Sequence, residues 1–434
     1  MIKLVFHHDY NLLPTASEHL LPVQLYGLSG KDRGDISFIG NPVIDKVRRL
    51  GLEISEQAMD FLTIALAVTA ADTFVKRSST DDGWTRQLSI ELPLHDPKRW
   101  GPIKEELEKA LHFLSGDIWE FEFKAGGLSP PKPYLIKDGY KLTEIKGADS
   151  VCLFSGGLDS AIGAIDLLED GRSPLLVSHA YSKDKSHQDK VASILQGSFS
   201  RFEMNADPHH YAGETDISMR TRSFNFLAFA AVAASAVQVV SQKSKVDVFV
   251  PENGFISLNA PLTPRRIGTL STRTTHPFFI GKIQSIFDAA DIRCTIKNPY
   301  QFKTKGQMVR ECKNQTLIAK VADNTVSCSH WKRFNQQCGV CVPCIIRRAA
   351  LHAGKINDNV NYKFNDFNVI QGKVDQRDDL MALSIAIEQL KTRNIGAWIA
   401  DSGPLPRSQF NNFIHIFSNG LYEVNSFLKF KGVL

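Results

Sequence analysis

The sequence predicts an α/β protein whose central parallel sheet is flanked by helices, with a further region on either side. Three observations lead to this class. Apolar strand patterns alternate with helical patterns across residues 147–325, which is typical of βαβ units. The run Ser-Gly-Gly-Leu-Asp-Ser at 155–160 joins a buried strand to the start of a helix. Four cysteines crowd into residues 328–344, where the chain changes to mainly helical patterns.

Residues 1–146 form the first region, which we expect to be an α+β accessory domain with an antiparallel sheet. Its predicted elements are strands at 2–6, 85–92 and 118–123 and helices at 55–76 and 102–114. Ser55 is suited to cap the first helix. We interpret His7, His8 and Asp9 as a surface cluster, because no further ligand follows at metal-site spacing. The region therefore offers no clear catalytic set, and the breaker-rich loop at 126–133 is a natural linker.

Residues 147–325 form the second region, with five predicted strands separated by helical segments. The strands are at 151–154, 174–178, 201–205, 246–250 and 293–297. The first helix follows the loop at 155–160 and ends near residue 170, and the other main helices are at 187–198, 219–241 and 276–290. Ligands of such sheets bind beyond the carboxyl ends of the strands. We therefore expect a binding site near the loop at 155–160 and the loops that begin near His179, Asn205 and Pro251.

Bulk composition describes an ordinary globular protein. The chain has 434 residues, 43% hydrophobic and 22% charged, with a net charge of +5. This mild charge permits an anionic ligand and does not demand a nucleic acid. The N-terminus lacks the apolar core of a signal peptide, and the longest apolar run, 224–240, is interrupted by polar residues. We interpret that run as a buried helix and expect a cytoplasmic protein without a membrane partner.

The run at 155–160 has the chemistry of an anion cradle. Two glycines let backbone N–H groups turn towards a ligand, and the following helix start adds free donors. Two hydroxyls add further donors, and a carboxylate beside a phosphate makes sense if Mg²⁺ lies between them. The ATP-binding residues we expect are Ser155, Gly156, Gly157, Leu158, Asp159 and Ser160. The alternative is an ordinary turn between a strand and a helix.

This run resembles the PP-loop of the ATP pyrophosphatases, whose pattern is Ser-Gly-Gly-x-Asp-Ser. The resemblance implies that residues 147–325 form a PP-loop domain that cleaves ATP between its α and β phosphates. It also implies catalytic roles for Asp159 and Ser160. The run is not a Walker loop, because no Gly-Lys-Ser/Thr follows at that spacing.

The cysteines at 328, 338, 341 and 344 predict a metal site in the last region, residues 326–434. Cys328, Cys338, Cys341 and Cys344 are the usual number of thiolates for a closed, structural zinc site. An Fe–S cluster uses the same ligands, and His330 could replace one cysteine. The odd total of seven cysteines argues against a secreted disulfide framework. We expect the metal to hold residues 328–348, with Arg347 and Arg348, against the nucleotide domain.

Together these motifs resemble QueC, the 7-cyano-7-deazaguanine synthase family, across residues 148–350. The matching segments are His187-Gln-Asp-Lys-Val-Ala-Ser-Ile-Leu195, Arg222-Ser-Phe-Asn-Phe-Leu227, Thr304-Lys305, Ser327-Cys328 and Cys338-Gly-Val-Cys-Val-Pro-Cys-Ile-Ile-Arg347. Ser223 stands where QueC has asparagine, and residues 251–261 and 271–277 replace a QueC substrate segment. With its two added regions, the layout is similar to the QatC group of QueC-like proteins, which occur in Qat anti-phage operons.

The QueC resemblance implies that ATP activates a carboxylate on a deazaguanine, which ammonia then attacks to give an amide and, after a second activation, a nitrile. Arg222 and Lys305 would be catalytic cations that clamp phosphate or carboxylate. The predicted substrate-binding residues are His187, Glu252, Asn253 and Arg347, with Asn259 as a possible assistant to Glu252. Glu252 would accept the two adjacent donors of a guanine-like ring. A basic stretch with Arg265, Arg266, Arg273 and His276 could meet phosphates or an acidic partner.

The changed substrate segment and the added regions favour an acceptor other than free ammonia. We therefore expect the activated acid to be passed to an amine on a protein partner from the same defence operon. Three alternatives stay open: a nitrile synthase that uses ammonia, a tRNA thiolation enzyme, and a non-catalytic nucleotide-binding scaffold. Thiolation needs a reactive cysteine, and Cys152, Cys294 and Cys312 are poor candidates because they are buried in a strand or isolated.

Overall fold

The computed structural model describes residues 1–27, 36–179, 181–211, 214–216, 220–263, 273–372 and 377–434. Across these ranges the chain forms two five-stranded sheets, each with all of its strand pairs parallel. Helices flank both sheets, and the C-terminal part is helical. The predicted α/β class is confirmed.

The first sheet has the strand order β3-β2-β1-β4-β5. Its strands are β1 (Ile2–His7), β2 (Leu20–Leu25), β3 (Ser37–Ile39), β4 (Gln87–Leu94) and β5 (Ile118–Ala125), and its helices are α1 (Val43–Arg48), α2 (Glu56–Phe74), α3 (Pro97–Trp100) and α4 (Lys104–Ser115). The expectation of an antiparallel sheet was wrong. Paired strands are joined by long crossovers instead of hairpins, such as α3 and α4 between β4 and β5, and crossovers of this length make neighbouring strands parallel.

The second sheet has the order β10-β9-β6-β7-β8, and its strands are parallel, as the alternating pattern predicted. Its strands are β6 (Ser150–Leu153), β7 (Pro174–His179), β8 (Ser200–Met204), β9 (Val246–Phe249) and β10 (Cys294–Lys297), and its helices are α5 (Leu158–Glu169), α6 (Ser182–Ile194), α7 (Arg222–Ser241), α8 (Gly254–Ser257) and α9 (Pro277–Ala289). The chain leaves central β6 for β7 on one side and later returns to β9 on the other. This change of direction lies where open α/β sheets bind ligands.

The C-terminal part packs helices against the second sheet and around the cysteines. These helices are α10 (Lys305–Glu311), α11 (Gln315–Ala322), α12 (Trp331–Phe334), α13 (Val342–Ala353), α14 (Phe367–Gln371), α15 (Asp378–Gln389), α16 (Ile395–Ala400) and α17 (Phe410–Phe430). α17 presents one apolar face, which packs on α13, α15 and α16. The apolar spacing of residues 377–393 predicts a helix, which corresponds to α15.

Helices α2 and α7 join the two sheets through one continuous hydrophobic core. In α2 every residue from 58 to 74 is buried, because the helix is apolar on all sides. Phe61 of α2 lies 5.0 Å from the ring of Phe224 in α7 and 4.9 Å from that of Phe287 in α9. The first region is therefore packed against the second sheet as part of one unit. By length and composition alone α7 could cross a membrane, and 67% of its apolar window is buried inside the protein.

A buried ion network secures the start of α7. Arg86 and Arg77 both pair with Asp117 at 2.7 Å, and Arg86 also bonds Asp72. The second oxygen of Asp72 accepts hydrogen bonds from the N–H and hydroxyl of Thr221, both at 2.9 Å. Thr221 is the residue before α7. The first region thus determines where α7 begins.

The segment between β8 and α7 is also bonded to the first region. Phe38 in β3 and His209 exchange two backbone hydrogen bonds of 2.9 Å, and Gly40 donates to Ala206. The N–H of Asp216 donates to the Thr73 carbonyl at 2.7 Å. This crossover is therefore held between the two sheets.

Candidate active site and metal centre

A cleft of about 1060 Å³ opens at the carboxyl ends of the second sheet. Its walls come from the β6–α5 loop, the end of β7, the crossover after β8, the start of α7, the loop after β9, and residues 326–333. Sequence-predicted residues in its lining are Ser155, Gly156, Ser160, His187, Arg222, Glu252 and Cys328. The cleft is large enough for a nucleotide beside a small ring.

The glycine loop, residues 155–160, forms the floor of this cleft. Gly156 has φ +80°, and a Cβ there would lie 3.2 Å from Gln188, so glycine fits this position best. Gly157 caps α5 without a side-chain bond. The N–H groups of Leu158, Asp159 and Ser160 donate to no residue that the structure describes. A helix start with free donors suits a phosphate.

Two serine hydroxyls border the glycine loop. Ser155 Oγ and Ser160 Oγ lie 3.2 Å apart, and Ser160 also donates to the Gly157 carbonyl at 3.0 Å. The N–H of Gly157 donates to Ser155 Oγ at 3.3 Å. Both hydroxyls thus stand next to the free N–H groups, and the residues present fit the triphosphate of ATP.

Asp159 lies below the loop and does not line the cleft. Lys305 Nζ is 2.8 Å from one carboxylate oxygen, and the backbone and side-chain amides of Asn253 donate to the other at 3.1 and 2.7 Å. Burial alone would raise the pKa of Asp159, but the Lys305 ammonium and the hydrogen bonds outweigh it and lower this pKa to about 2. With both oxygens engaged, Asp159 does not fit the predicted Mg²⁺. Its arrangement favours a positioning role.

Lys305 occupies the place that its sequence pattern predicted, as the first residue of α10 after the cap Thr304. Glu423 of α17 accepts hydrogen bonds from Thr304 Oγ1 and Gly306 N, at 2.7 and 2.9 Å. Lys305 is 5% exposed and does not line the cleft. The structure therefore places it beneath the loop as the partner of Asp159, and its predicted contact with phosphate or carboxylate stays a prediction.

Glu252 reaches the cleft from the loop after β9. Burial raises the pKa of Glu252 well above its ordinary value, and the neighbouring Asp159 carboxylate adds to the shift. Asn253 Nδ2 donates to Glu252 Oε1 at 3.1 Å. This shift favours the protonated form of the side chain, which disfavours the predicted role as a carboxylate accepting two donors. Asn259 lines a separate cavity near the cysteines.

Cationic side chains form one wall of the cleft. Arg222, the first residue of α7, pairs with Asp184 at 2.8 Å, and Lys332 approaches the same carboxylate at 3.6 Å. The two cations lie 5.4 and 5.0 Å from the centroid of the Tyr181 ring. Arg333 also lines the cleft. This wall can neutralise phosphate charge opposite the glycine loop.

His187 lines the cleft and packs edge-on against Trp331, with ring centroids 4.5 Å apart. Burial lowers the pKa of His187, and the nearby Lys190 adds to the shift. The imidazole is therefore neutral at neutral pH and can act as a donor or acceptor. Its sequence-predicted place beside the substrate is compatible with this position.

Other predicted contacts lie outside the cleft. Arg347 is fully buried and donates to Thr325, Ala322 and Tyr362, which favours a structural role over substrate binding. Arg273 donates to the Phe113 carbonyl, and His276 is buried as the cap of α9. His276 is therefore not available as the surface cation that the sequence suggested, whereas Arg273 is partly exposed. The predicted Arg265 and Arg266 lie outside the described residues.

The four cysteines converge as the spacing predicted. Their sulfurs all lie within 4.8 Å of one another, with Cys338 and Cys344 at 3.9 Å and Cys328 and Cys341 at 4.0 Å. Tetrahedral zinc with Zn–S bonds of about 2.3 Å separates its sulfurs by about 3.8 Å. Backbone N–H groups of His330 and Cys338 point at Cys328 Sγ, as suits a thiolate. These separations accommodate one ion and are too short to enclose a multi-iron cluster.

The metal centre is directly connected to the cleft. Val326 N donates to the Gly156 carbonyl at 3.1 Å, so the chain entering the cysteine cluster backs the glycine loop. Gln337 bonds both Ser327 N and the Thr325 carbonyl, at 3.0 Å each. Cys328, Ser329 and residues 331–333 then line the cleft. A metal held by the cysteines would thus fix one wall.

Sequence reasoning missed several lining residues. His179 is the last residue of β7, Tyr181 and Asp184 follow it, and Lys332 belongs to α12. The expectation of a binding loop near His179 was the available signal for the first three, because β7 was correctly predicted. Lys332 gave no signal, since a lone lysine between cysteines is ordinary surface composition.

Comparison with known proteins finds one family model that matches part of the chain. Residues 275–355 match the QueC family, described as queuosine biosynthesis protein QueC. This QueC match spans α9 to α13, including Lys305, all four cysteines and the cleft wall at 326–333. The match suggests a QueC-type synthase that uses ATP. It begins at residue 275 and therefore does not include the glycine loop at 155–160. No curated protein and no solved structure matches the chain.

Proposed function

We propose that this protein is a QueC-type synthase that adenylates the carboxylate of a 7-deazaguanine-type acid and passes the acyl group to an amine. One observation carries the proposal: the glycine loop, with its free N–H groups, and a cationic wall line a single cleft. Part of that wall, residues 326–333, lies within the QueC match. The loop supplies the phosphate site, and the family supplies the type of acid.

The first step forms an acyl adenylate. A carboxylate oxygen of the acid attacks the α-phosphorus of ATP, the bond between the α-phosphorus and the bridging oxygen breaks, and pyrophosphate leaves. The N–H groups of Leu158 and Ser160, with the Ser155 hydroxyl, would hold the departing pyrophosphate. Arg222 and Lys332 would neutralise the charge on the opposite side.

The second step consumes the adenylate. An amine attacks the activated carbonyl, loses a proton to solvent or a base, and expels AMP to leave an amide. Neutral His187 is the candidate base within the cleft, since its depressed pKa leaves it unprotonated. This step needs no protein metal, so the four cysteines are assigned a structural role.

We further propose that the amine belongs to a protein partner encoded with this chain in an anti-phage operon of the Qat type, in the cytoplasm. The altered loop after β9 and the additional regions motivate this assignment. Besides any role in partner binding, the first region has a structural role, because it holds the crossover between β8 and α7 and the start of α7. It also exposes an apolar stretch, with Ile136 87% and Leu135 48% exposed, which is suited to a protein contact.

Among the alternatives, ammonia as acceptor would make the chain a nitrile synthase with the same first step. Thiolation is disfavoured, because Cys152, Cys294 and Cys312 are all buried. Burial raises the pKa of Cys294 and Cys312 to about 12, so neither is a ready thiolate. A pure scaffold would bind ATP without releasing AMP.

The test is product analysis with a matched pair of variants. The purified protein is incubated with ATP, 7-carboxy-7-deazaguanine and candidate partner proteins, and AMP, ADP, pyrophosphate and intact protein masses are measured. Ser160→Ala removes a hydroxyl that donates to a helix carbonyl at the loop. Ser285→Ala, which removes the same kind of bond in α9, is the control.

We expect AMP and pyrophosphate that depend on the acid, an acyl mass increase on one partner, and a loss of at least about tenfold in rate for Ser160→Ala only. ADP as the nucleotide product would contradict the adenylation step. Free nitrile with no modified protein would leave that step intact and replace the protein partner by ammonia.

A further inference from the structure

Two polar groups in the cleft have no hydrogen-bond partner among the described residues. His179 is 4% exposed, lines the cleft, and both of its ring nitrogens lack a partner. The buried hydroxyl of Ser223, in the first turn of α7, also lines the cleft without a partner. Buried polar groups in proteins are nearly always satisfied, so two such groups on residues that line one cleft point to a ligand that bonds them.

The position of His179 is fixed by its surroundings. The imidazole packs against Phe226, with centroids 4.2 Å apart, and lies 6.0 Å from the Tyr181 ring. Gln188 Nε2 donates to the His179 carbonyl at 3.0 Å and to the Ser155 carbonyl at 3.5 Å. The ring nitrogens are therefore held at a set place relative to the glycine loop, as a preorganised recognition group would be.

The chemistry of this group indicates what it binds. Burial lowers the pKa of His179 well below its ordinary value, and the positive charges of Arg222 and Lys332 add to the shift. A neutral imidazole offers one donor and one acceptor, and the Ser223 hydroxyl offers both. Tyr181 and Phe226 add aromatic surface on which a planar ring can pack. This combination suits the edge of a nitrogen heterocycle and is a poor match for a phosphate.

We propose that His179 and Ser223 form a subsite that binds the polar edge of a fused nitrogen heterocycle, beside the phosphate site of the glycine loop. The inference rests on the proposed function for the choice of ring, which is either the adenine of ATP or the deazaguanine of the acid. Both rings present a donor next to an acceptor. The subsite makes His179 and Ser223 specificity-determining residues.

Binding measurements on three ligands test the subsite. The affinities of ATP, tripolyphosphate and 7-carboxy-7-deazaguanine are measured by calorimetry for the full chain and its variants. Tripolyphosphate is the control ligand, because it has the phosphates without a ring. His179→Phe keeps the packing on Phe226 and removes both nitrogens, and Ser223→Ala removes one hydroxyl. Ser241→Ala is the control variant, since Ser241 Oγ is also buried and unpartnered on α7 but does not line the cleft.

We expect His179→Phe to lower the affinity for one ring-bearing ligand about tenfold. Ser223→Ala should lower the affinity for the same ligand about threefold to tenfold. Tripolyphosphate affinity should stay unchanged, and Ser241→Ala should match the unmodified protein. Loss of ATP affinity assigns the ring to adenine, and loss of acid affinity assigns it to the deazaguanine.

Unchanged affinity for both ring ligands in both variants would overturn the subsite. An equal loss of tripolyphosphate affinity would also overturn it, because the substitutions would then disturb the cleft as a whole. Failure of the proposed function is distinguishable: the unmodified protein would then bind the ring ligands but release no AMP.

Discussion

Replacing Cys344 by serine should weaken ATP binding, although Cys344 is fully buried and does not line the cleft. The substitution removes one of four sulfurs within 4.8 Å of one another and so abolishes the closed metal site. The metal site is expected to hold residues 326–333 in place. In this segment Val326 N donates to the Gly156 carbonyl of the glycine loop at 3.1 Å, and Lys332 is part of the cationic wall.

The expected magnitude follows from these contacts. A cation bonded to phosphate contributes about 1.5–3 kcal/mol, but the Lys332 side chain is 51% exposed, so solvent reduces its contribution to the lower part of this range or below. The weaker Lys332 contact and the loosened hydrogen bond from Val326 to Gly156 should together reduce the free energy of ATP binding by about 2 kcal/mol. This loss corresponds to an ATP dissociation constant about thirtyfold higher.

Calorimetry with ATP, combined with metal analysis of the same samples, measures this effect. Cys312→Ser is the matched control, because Cys312 is another buried thiol outside the cluster. It should retain both metal and affinity. If the Cys344→Ser protein loses its metal and still binds ATP with unchanged affinity, the cysteine cluster does not support the cleft wall and the reasoning is refuted.

Three further substitutions test other parts of the account. Lys305→Met leaves Asp159 buried without its cation, so we expect a loss of about 3–5 kcal/mol in urea unfolding at neutral pH. His276 has a pKa lowered by burial from 6.5 to about 3, so stability should fall by about 2 kcal/mol between about pH 6.5 and pH 5, and His276→Asn should remove this slope. Asp72→Asn weakens the anchor of α7, so the KM for ATP should rise through Arg222, with no added effect in an Arg222→Gln background.

Each of these three outcomes has a contrary result. Equal unfolding free energies for Lys305→Met and for Lys391→Met, which alters an exposed lysine, would mean that the pair with Asp159 adds nothing. The sign for His276 follows because the unfolded chain binds the proton that the folded chain excludes, so an acid slope retained in His276→Asn must come from other groups. Additive effects of Asp72→Asn and Arg222→Gln would show that the network does not act through Arg222.

Hydropathy patterns predicted most elements of this fold because the periods are local. The alternation in 147–325 led to a parallel sheet, and β6 to β10 follow that expectation. The first region was assigned an antiparallel sheet, although its own strands also alternate with helices. Its half-exposed strands, such as β5, show a period of two that is typical of antiparallel sheets, whereas the direction of pairing depends on the crossovers.

In the candidate site, too, contiguous motifs could be predicted from the sequence, whereas contacts between residues far apart in the chain could not. The glycine loop and the cysteine cluster are contiguous motifs, so the residues that build them could be identified from the sequence. Asp159 and Lys305 were both predicted as site residues that contact a ligand. In the structure they form an ion pair with each other, and a pair between positions 146 residues apart cannot be foreseen from local sequence. His179 was overlooked because nothing in a strand sequence shows that a buried histidine lacks a partner.

The central claim is that ATP activates the acid as an acyl adenylate, and oxygen transfer tests it most directly. The acid is prepared with both carboxylate oxygens labelled with ¹⁸O and incubated with ATP, the protein and the acceptor, and the released nucleotide is analysed by mass spectrometry. We expect AMP that carries one labelled oxygen, because amine attack breaks the bond between the carbonyl carbon and that oxygen. Unlabelled AMP, or label found in inorganic phosphate alongside ADP, would contradict it.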